Sequence, residues 1–475
     1  MKPKLKFFSQ EEIEMVHHKA LEILETTGID IKLPDAVEVF KKAGCSIKGE
    51  TVVNIPREIV KKALKTIPGR DQVVLHARNP EYDINIAEDS PVLAAMVEAT
   101  HVIDLYTRDK RPATNRDLAQ LTQLLELLDN VSIASPPVTP QDVPHKTTDW
   151  YTWATSFSNT TKHITGPGTG AGCVKDAIKM ASLVAGGEDK FLERPFFSLW
   201  ILTTPPMKVD PLTLEALMEG ARHKIPLIIS SGPILGVTAP VTIAGSCAMA
   251  HSEILACLTL SQLVNPGAPA VYTSFARSMD FKIGHVSMAS PEFTILKGCM
   301  GQLGRYLGLP TRMPAMLRDA KILDAQAGFE TAMTGVTSAL SADIMDGMQF
   351  DMDMVVDYAD FVFCDEAIAQ LKRLVKDLAV NEDTLAKEVI DQVAHGGNFL
   401  ATEHTVKHFK KEIFEPKIFE RRMWGAWEED GALDMRDKAV QITREMLEEG
   451  AGPVLDAGLS KKLDQIAEEA NATGS

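Results

Sequence analysis

Three polar side chains with close spacing, Asp324, Gln326 and Glu330, stand out because they directly follow a strand-end loop. They close the segment SPEFTILKGCMGQLGRYLGLPTRMPAMLRDAKILDAQAGFE, residues 290–330, whose pattern predicts a helix, a strand, a loop and the start of another helix. Taken singly, Asp324 is expected to cap the helix and Glu330 to be a helix-surface charge. Together, beside a strand-end loop, they are our candidates for catalytic side chains.

Other side chains of the kinds that do chemistry lack a recognisable arrangement. His395, His404 and His408 form no H-E-x-x-H or Cys-His set, so we predict no metal site. A lyase or aldolase would normally require a strand-end lysine or a metal set, and Lys282 and Lys321 are too weakly placed to support one. The six cysteines are scattered without a C-x-x-C pair, which fits a reducing cytosol.

The elements that would position these groups follow a repeating pattern from residue 115 onward. Short apolar runs with β-branched residues alternate with longer helical patterns, which argues for a parallel sheet. The predicted strands span residues 131–135, 163–166, 196–202, 226–230, 270–274 and 311–314, with a weaker one near Asp343. Their ends are rich in Ser, Thr, Gly and Pro, as expected where a barrel forms its catalytic face. A doubly wound open sheet would alternate similarly, but no G-x-G-x-x-G follows the first strand, so we favour the barrel.

We therefore predict an α/β protein, a (β/α)8 TIM barrel with additions at both ends. Residues 1–114 are expected to form an N-terminal cap of helices and β-ribbon, residues 115–400 the barrel, and residues 401–475 a helical extension packed on it. The first helix is marked by Ser9 and Glu12, which have the spacing of a capping box.

The charge and hydropathy patterns exclude several classes of partner. The formal net charge is −16 and no Lys/Arg run occurs, so nucleic acid and anionic membranes are poor partners. The longest apolar stretch, residues 243–264, is broken by His251, Ser252 and Glu253, which predicts a buried helix rather than a membrane span.

Residues 9–27 read as a charged amphipathic helix where a signal peptide would need an apolar core, so we expect a cytoplasmic protein.

The segment at 308–330 resembles the trimethylamine methyltransferase superfamily, whose members carry a similar G-L-P, loop, D-A-Q-A-G-x-E run. The resemblance extends more weakly to NPGAP at 265, SPE at 290, THVIDLYTRDKRPAT at 100 and FLATEHTVKHF at 399. It implies a (β/α)8 barrel that takes a methyl group from a methylated amine and passes it to the Co(I) corrinoid of a partner protein. The chain has no D-x-H-x-x-G corrinoid-ligand motif, so we expect the corrinoid to arrive on that partner.

The chain departs from this family pattern at one position. In members that act on trimethylamine, the loop before D-A-Q-A-G carries pyrrolysine, and aligning A-M-L-R-D-A-K puts Leu317 there. A quaternary nitrogen is fully charged and leaves as a neutral tertiary amine, so attack on its methyl carbon needs no proton donor. Members without pyrrolysine include glycine betaine methyltransferases, and relatives act on proline betaine or carnitine. We therefore expect a quaternary amine, and first a betaine, as the methyl donor.

A quaternary ammonium is held by charge and cation–π contacts because its nitrogen has no hydrogen to donate. Aromatic and acidic side chains near the predicted strand ends are the candidates for this contact: Tyr272, Phe275, Phe350, Asp346 and Asp280. Aromatic side chains are more often core than cage, so packing is the alternative for each ring. Arg277 and Arg318 are the basic side chains closest to the proposed face for a betaine carboxylate, unless a neighbouring acid pairs with them.

One alternative function is binding of the same ligand without catalysis. A relative that only holds a quaternary amine, or docks a corrinoid protein without turnover, would share many of these residues. The presence of Asp324, Gln326 and Glu330 favours catalysis. We also expect the protein to form a homo-oligomer.

Overall fold

Eight short parallel strands close into a barrel at the centre of the computed structural model, which describes residues 5–96, 99–450 and 452–473. In chain order they are β1 (Val92–Ala95), β2 (Val131–Ile133), β3 (Ile164–Pro167), β4 (Phe197–Leu202), β5 (Leu227–Ser231), β6 (Ala270–Ser274), β7 (Thr311–Pro314) and β8 (Ile344–Gly347). The sheet order is β3-β4-β5-β6-β7-β8-β1-β2. A parallel bridge between Ile133 in β2 and His163, just before β3, closes the ring. The predicted (β/α)8 barrel is confirmed.

A long helix follows each strand before the next one begins. These helices are α1 (Asn115–Leu127), α2 (Thr148–Asn159), α3 (Gly170–Ala185), α4 (Pro211–Arg222), α5 (Ile243–Val264), α6 (Pro291–Tyr306), α7 (Ala325–Ser341) and α8 (Tyr358–Leu374). Outward-facing strand residues such as Leu199 and Leu227 pack against them in the main apolar core. The carboxyl ends of all eight strands therefore face the same side, where the loops that precede the helices gather.

The first barrel strand, β1, lies inside the range that we predicted as the cap. Its four residues are all buried and it pairs with β8 on one side and β2 on the other. Its sequence, VLAA, contains two alanines, a residue type that is depleted in strands, so the run at Val92–Ala95 gave little strand signal and was missed. The barrel begins at Val92 instead of residue 115, and its last helix ends at Leu374 instead of near residue 400.

The N-terminal cap packs helices and small sheets against the outside and the amino end of the barrel. Its elements are the helices Gln10–Thr26, Pro34–Lys42, Arg57–Leu64 and Ile86–Asp89, the 3₁₀ turn Pro80–Tyr82, and the strands Ile29–Ile31, Ser46–Lys48, Val52–Asn54, Val74–Leu75 and Ile84–Asn85. Ser9 and Glu12 form the predicted capping box. Leu75 and Ile84 join the apolar cluster inside the barrel, so this ribbon closes the amino end.

The C-terminal extension is helical, as predicted. Its helices are Glu382–Leu385, Lys387–Val393, Glu403–Glu412, Trp424–Glu429, Met435–Glu449 and Ala457–Thr473. Helix Met435–Glu449 packs on α8 and α1, and helix Ala457–Thr473 packs on α2. The remaining elements are the strands His101–Ile103, Lys110–Pro112, Lys208–Val209, Ser278–Asp280, His285–Ser287 and Val355–Asp357, and the short helices His145–Thr147 and Glu188–Glu193.

Helix α5 is long and apolar enough to cross a bilayer, but it is a core helix of the barrel. Of its most apolar stretch, 83% is buried inside the protein. It packs between β5, α6 and the cap helix Gln10–Thr26. The prediction of a buried helix is confirmed.

Candidate active site

Arg312 lies fully buried inside the barrel, where an unpaired charge would be costly. Its Nε donates to Oδ2 of Asp346, on the neighbouring strand β8, at 2.5 Å. Its Nη1 donates to Oγ1 of Thr165 at 2.9 Å, and its guanidinium carbon lies 4.7 Å from the centre of the Trp200 ring. Thr165 is on β3, four places from β7 around the ring of strands. The Arg312 side chain therefore spans the interior from wall to wall.

A chain of hydrogen bonds continues from Thr165 along the far wall. The Thr165 hydroxyl lies 2.9 Å from Ser198 Oγ, which lies 3.0 Å from His163 Nε2, and His163 Nδ1 lies 2.6 Å from the His76 carbonyl oxygen. Since a carbonyl only accepts, His163 carries its proton on Nδ1 and accepts from Ser198 at Nε2. Burial lowers the pKa of His163 to about 4, so the ring is neutral. Every donor in this series of hydrogen bonds points away from Arg312. The series therefore holds the Thr165 side chain in place and is not a path for protons.

Asp346 pairs with Arg312 through one oxygen only. Its Oδ1 has no hydrogen-bond partner in the described part of the chain, although the side chain is fully buried. Burial raises the pKa of Asp346, and the positive charges of Arg312 and Lys297 oppose this rise. The hydroxyls of Ser230 and Thr273, on β5 and β6, also lack a partner there. A buried acceptor without a partner marks a place where a cationic ligand would be stabilised.

Apolar and aromatic side chains surround this polar centre. Trp200, Phe275, Met288 and Leu317 belong to one cluster of buried residues inside the barrel. Leu317, just after β7, is fully buried. The guanidinium of Arg312 covers one face of the Trp200 ring. A carboxylate oxygen beside aromatic rings in a dry interior is the arrangement that binds a quaternary ammonium.

Arg277 brings a positive charge to the same end of the barrel. Its guanidinium carbon lies 4.7 Å from the centre of the Phe275 ring. Its Nε has no hydrogen-bond partner among the described residues. Burial lowers the pKa of Arg277, and the charge of Asp353 opposes this effect. A ligand carboxylate would accept hydrogen bonds from this side chain.

Lys297 fixes the backbone on both sides of Phe275. This fully buried residue of α6 donates from Nζ to the carbonyl oxygens of Ser274 at 2.9 Å and Ala276 at 2.5 Å. Burial lowers the pKa of Lys297 well below its usual value, and the nearby charge of Arg277 adds to this effect. Lys297 is therefore a positioning residue for the Phe275 ring and for the turn that leads to Arg277.

Asp324 and Gln326 are exposed at the start of α7. Asp324 Oδ1 accepts from the backbone N–H of Ala327 at 3.0 Å, so it caps the helix in the way that its residue type suggests. Gln326 Nε2 donates to Oε1 of Glu330 at 2.8 Å. Neither side chain is brought to the buried interior, and a catalytic role for them stays a prediction.

Glu330 is buried and holds the loop that precedes α7. Its Oε2 accepts from the backbone N–H groups of Asp319 at 3.0 Å and Ala320 at 3.1 Å. The same loop carries Leu317 into the barrel. The contacts make Glu330 a positioning residue for this loop, while direct contact with a substrate stays a prediction.

Tyr272 does not line the interior, which corrects its assignment to the cation site. Its ring is fully buried on the outer side of β6, and its hydroxyl lies 2.8 Å from His251 Nδ1 on α5. Val271 and Phe275 belong to the interior cluster, whereas Tyr272 belongs to the outer core. Because successive strand residues point to opposite faces, Val271 and Tyr272 cannot both face inward.

Arg318 and Phe350 form a structural unit behind the loop, which corrects both assignments. Arg318 Nη1 donates to Asp360 Oδ1 at 2.7 Å, and its Nη2 pairs with the other oxygen. The guanidinium carbon lies 4.1 Å from the centre of the Phe350 ring. Both side chains are fully buried, and Phe350 packs with Ala320 and Val355 outside the interior cluster. The charge of Arg318 is thus already neutralised by an acid on α8.

A cavity of about 920 Å³ lies at the carboxyl end of the barrel, lined by the loops after β5, β6, β7 and β8. Asp280 lies exposed on its rim, in the hairpin of strands Ser278–Asp280 and His285–Ser287, and does not reach the interior. Asp319 joins this hairpin to the Leu317 loop, because it accepts from the backbone N–H of Met288 at 2.9 Å and from the Ser287 hydroxyl. The cavity is large enough for a sizeable second substrate to approach from outside.

The sequence analysis missed Arg312, Trp200 and Lys297. Arg312 could have been found, because a charged residue inside a predicted barrel strand, TRMP, has to be paired or functional. Trp200 lies in the predicted strand 196–202, where alternation places it on the face opposite Leu199. The role of Lys297 had no sequence signal, since its partners are backbone carbonyls 21 and 23 residues away.

Within residues 5–96, 99–450 and 452–473, no three His, Cys, Asp or Glu side chains are placed to hold a metal ion. His404 and His408 contact each other with ring centres 4.4 Å apart on the outer helix Glu403–Glu412. Asp383 lies 3.3 Å from His408 Nε2. The absence of a bound metal stays a prediction.

Comparison with known proteins identifies relatives along the whole chain. The family model described as trimethylamine methyltransferase (MTTB) matches residues 1–474. Trimethylamine methyltransferase MttB of Desulfitobacterium hafniense (strain DSM 10664 / DCB-2) is 33% identical over 465 residues, covering 97% of this chain and 93% of that protein. Glycine betaine methyltransferase of Desulfitobacterium hafniense (strain Y51) is 30% identical over 482 residues, covering 99% and 98%. Trimethylamine methyltransferase MttB of Methanosarcina barkeri (strain Fusaro / DSM 804) is 28% identical over 478 residues, covering 98% and 95%.

Proposed function

This chain belongs to the trimethylamine methyltransferase (MTTB) family and is a methyltransferase, and we propose that its methyl donor is a quaternary amine. The first choice is a betaine such as glycine betaine, with proline betaine or carnitine as alternatives. The acceptor is the Co(I) corrinoid of a partner protein, and the reaction takes place in the cytoplasm. The names of the relatives do not decide the donor, because one acts on glycine betaine and others on trimethylamine.

The observation that carries this proposal is the free oxygen of Asp346. A cationic donor is stabilised beside the unpaired oxygen Oδ1 of this fully buried carboxylate. Because trimethylamine is also a cation when it is protonated, it is Leu317, in place of the pyrrolysine of relatives that act on trimethylamine, that favours a quaternary over a tertiary amine. The Trp200 ring contacts the same Arg312 guanidinium as Asp346 does, and Phe275 and Leu317 belong with Trp200 to the buried cluster inside the barrel. Together they desolvate the ammonium group and hold it by charge and ring contacts.

Arg277 is assigned to the carboxylate of the betaine. Its side chain lies on the Phe275 ring, and the next residue, Ser278, lines the cavity of about 920 Å³ at the carboxyl end of the barrel, the mouth cavity. Binding the two charges of the donor at two fixed points would orient one methyl group toward the opening. Alignment of this kind is where an in-line displacement gains most from an enzyme.

The reaction balances without an acid or base from the protein. The corrinoid cobalt supplies the electron pair for the new bond to carbon, and the C–N electron pair stays on nitrogen as the amine leaves. Glycine betaine would give dimethylglycine and a methylated corrinoid. Leu317, where relatives that act on trimethylamine carry pyrrolysine, is compatible with this step because the donor is already activated by its own charge.

The corrinoid is expected to reach the reaction from outside, as a second substrate. The mouth cavity of about 920 Å³ is open and is bordered by exposed apolar side chains, Phe281 and Ile283, on the hairpin after β6. These features support docking of a carrier protein at this end of the barrel.

Methyl transfer from glycine betaine to free Co(I) cobalamin tests the proposal. The purified chain is mixed with both compounds under reducing conditions, and methyl-cobalamin is followed by its absorbance. We expect enzyme-dependent methylation that the Asp346→Asn variant loses. Saturable binding of glycine betaine without methyl transfer, to cobalamin or to corrinoid proteins, would instead identify a non-catalytic binding relative.

A further inference from the structure

A second cavity, of about 440 Å³, lies outside the barrel between α7, α8 and the C-terminal extension. Its volume is within the range of small-molecule sites. Its apolar lining includes Phe363, Ala332, Leu371 and Met435. The proposed reaction at the centre of the barrel makes no use of this cavity.

Three polar side chains that line this cavity have hydrogen-bonding atoms without a partner in the described chain: Thr331 Oγ1, Gln370 Nε2 and Arg436 Nη1. Thr331 is only 4% exposed. Arg436 uses its other nitrogen, Nη2, to bind Asp357 Oδ2 at 2.9 Å. All three groups can donate a hydrogen bond, and a carboxylate is the ligand group that accepts several at once.

The cavity also offers contacts for a positive charge. The rings of Phe363 and Phe419 line it and stack with their centres 5.9 Å apart. Asp324 and Asp434 line it as well, and each caps a helix through one oxygen, at 3.0 Å to Ala327 N and 2.8 Å to Asp437 N. A purely anionic ligand would be repelled by these two carboxylates, whereas a ligand with an ammonium group would be attracted.

We infer that this cavity is a binding site for a small zwitterion that carries a carboxylate and an alkylated ammonium group. The carboxylate binds Thr331, Gln370 and Arg436 after their buried donor groups turn toward the cavity, and the ammonium group binds the rings and the two aspartates. The ligand thus has the same chemistry as the proposed methyl donor, but its binding here does not depend on turnover. Leu323 and Asp324 line the cavity at the end of the loop that carries Leu317, so an occupied site would stabilise that loop.

The test uses the full chain labelled with ¹³C at its methionine methyl groups. Met435 lines this cavity and Met352 lines the barrel-mouth cavity, so the two signals report the two sites separately. The variants Met435→Leu and Met352→Leu identify the signals. We expect glycine betaine to shift the Met435 signal in a saturable way, both with and without cobalamin.

Two near-isosteric variants then test the hydrogen bonds to the ligand carboxylate, and two ligand analogues test the contributions of its positive charge and of its carboxylate. Thr331→Val and Gln370→Leu should each raise the dissociation constant measured at Met435 by about tenfold or more, as expected for loss of one hydrogen bond to a charged group. Gln441→Leu, an exposed position on the same helix as Met435, should leave it unchanged. The analogues 3,3-dimethylbutanoate, which lacks the positive charge, and tetramethylammonium, which lacks the carboxylate, should both bind more weakly than glycine betaine.

The inference is overturned if Met435 shows no saturable shift, if both cavity variants bind as wild type does, or if either analogue binds as tightly as glycine betaine. An unchanged Met352 signal shows that each variant is folded. Thr331→Val and Gln370→Leu should retain methyl transfer. If the wild type shows no methyl transfer but its Met435 signal still shifts in a saturable way, only the proposed function is contradicted.

Discussion

Asp346 and Arg312 form a buried ion pair in which the arginine is fully engaged and the carboxylate is not. Arg312 donates to Asp346 and, across the barrel, to Thr165. Asp346 retains one oxygen without a partner among the described residues. The pair therefore places a defined acceptor for positive charge at the centre of the barrel.

Asp346→Asn is expected to lower kcat/KM for glycine betaine by about 100-fold or more, because it removes the buried charge that faces the cation. The rate of methyl-cobalamin formation measures this change. Asp343→Asn is the matched control: Asp343 is also fully buried and pairs with Arg70 at 2.8 Å, but at the amino end of the same strand. It should lower stability and leave kcat/KM nearly unchanged. Equal kinetic losses in both variants would show that Asp346 matters only for folding.

Arg277→Met is expected to raise KM for glycine betaine by about 10- to 100-fold, which corresponds to loss of hydrogen bonds to a charged group. The kinetics with tetramethylammonium, which has no carboxylate, should not change. This comparison uses one protein and two donors, so a general structural effect would affect both. An equal rise in KM for both donors would rule out the assigned role of Arg277.

Glu330→Gln is expected to reduce kcat by about tenfold, because a neutral amide holds the backbone N–H groups of Asp319 and Ala320 less strongly than a carboxylate. The KM for the donor should change less than kcat, because the loop forms only one side of the proposed donor site. Gln326→Ala removes the exposed side-chain contact to Glu330 and should have little effect. If Gln326→Ala lowers kcat as much as Glu330→Gln does, the loop-positioning role is wrong.

Stability should fall as the pH drops from 7.5 to 5, and His163 should account for part of the loss. Burial lowers the pKa of His163 to about 4. The unfolded chain, with an ordinary histidine pKa near 6.5, therefore binds a proton over this range when the native protein does not, which favours unfolding by roughly 2 kcal/mol at pH 5.

His163→Asn tests this contribution, because its amide can still donate to the His76 carbonyl without taking up a proton. Urea unfolding at the two pH values should show a loss smaller than that of the wild type by roughly the 2 kcal/mol assigned to His163. His145→Asn, at an exposed position, should behave as the wild type does. Identical pH dependence in all three proteins would mean that His163 is charged in the native state.

The barrel was predictable from sequence because most of its strands are apolar runs, several with β-branched residues, that end in small polar residues. The exception, β1, has the sequence VLAA, whose two alanines favour a strand only weakly. The inward or outward direction of a side chain also follows from the sequence once a strand is assigned. Applying that alternation to β6 would have excluded Tyr272 before any coordinates were known.

Contacts between residues that are far apart in the sequence could not be predicted from the sequence. Nothing near Arg318 in the sequence indicates its partner Asp360, which is brought there by α8. In the same way, the chain from Arg312 to His163 joins strands that lie on opposite walls. Residue types near strand ends therefore identified Phe275, Arg277 and Asp346 as candidates, and the family resemblance identified Leu317, but only tertiary packing separates them from Arg318 and Phe350.

The choice between a quaternary and a tertiary methyl donor is the central claim, and one competition experiment addresses it directly. Equal concentrations of glycine betaine and trimethylamine, carrying methyl groups with different isotopic labels, are offered to the enzyme with limiting Co(I) cobalamin. Mass spectrometry of the methylated product then gives the origin of the methyl group. We predict methyl groups from glycine betaine only; methyl groups derived mainly from trimethylamine would contradict a quaternary donor.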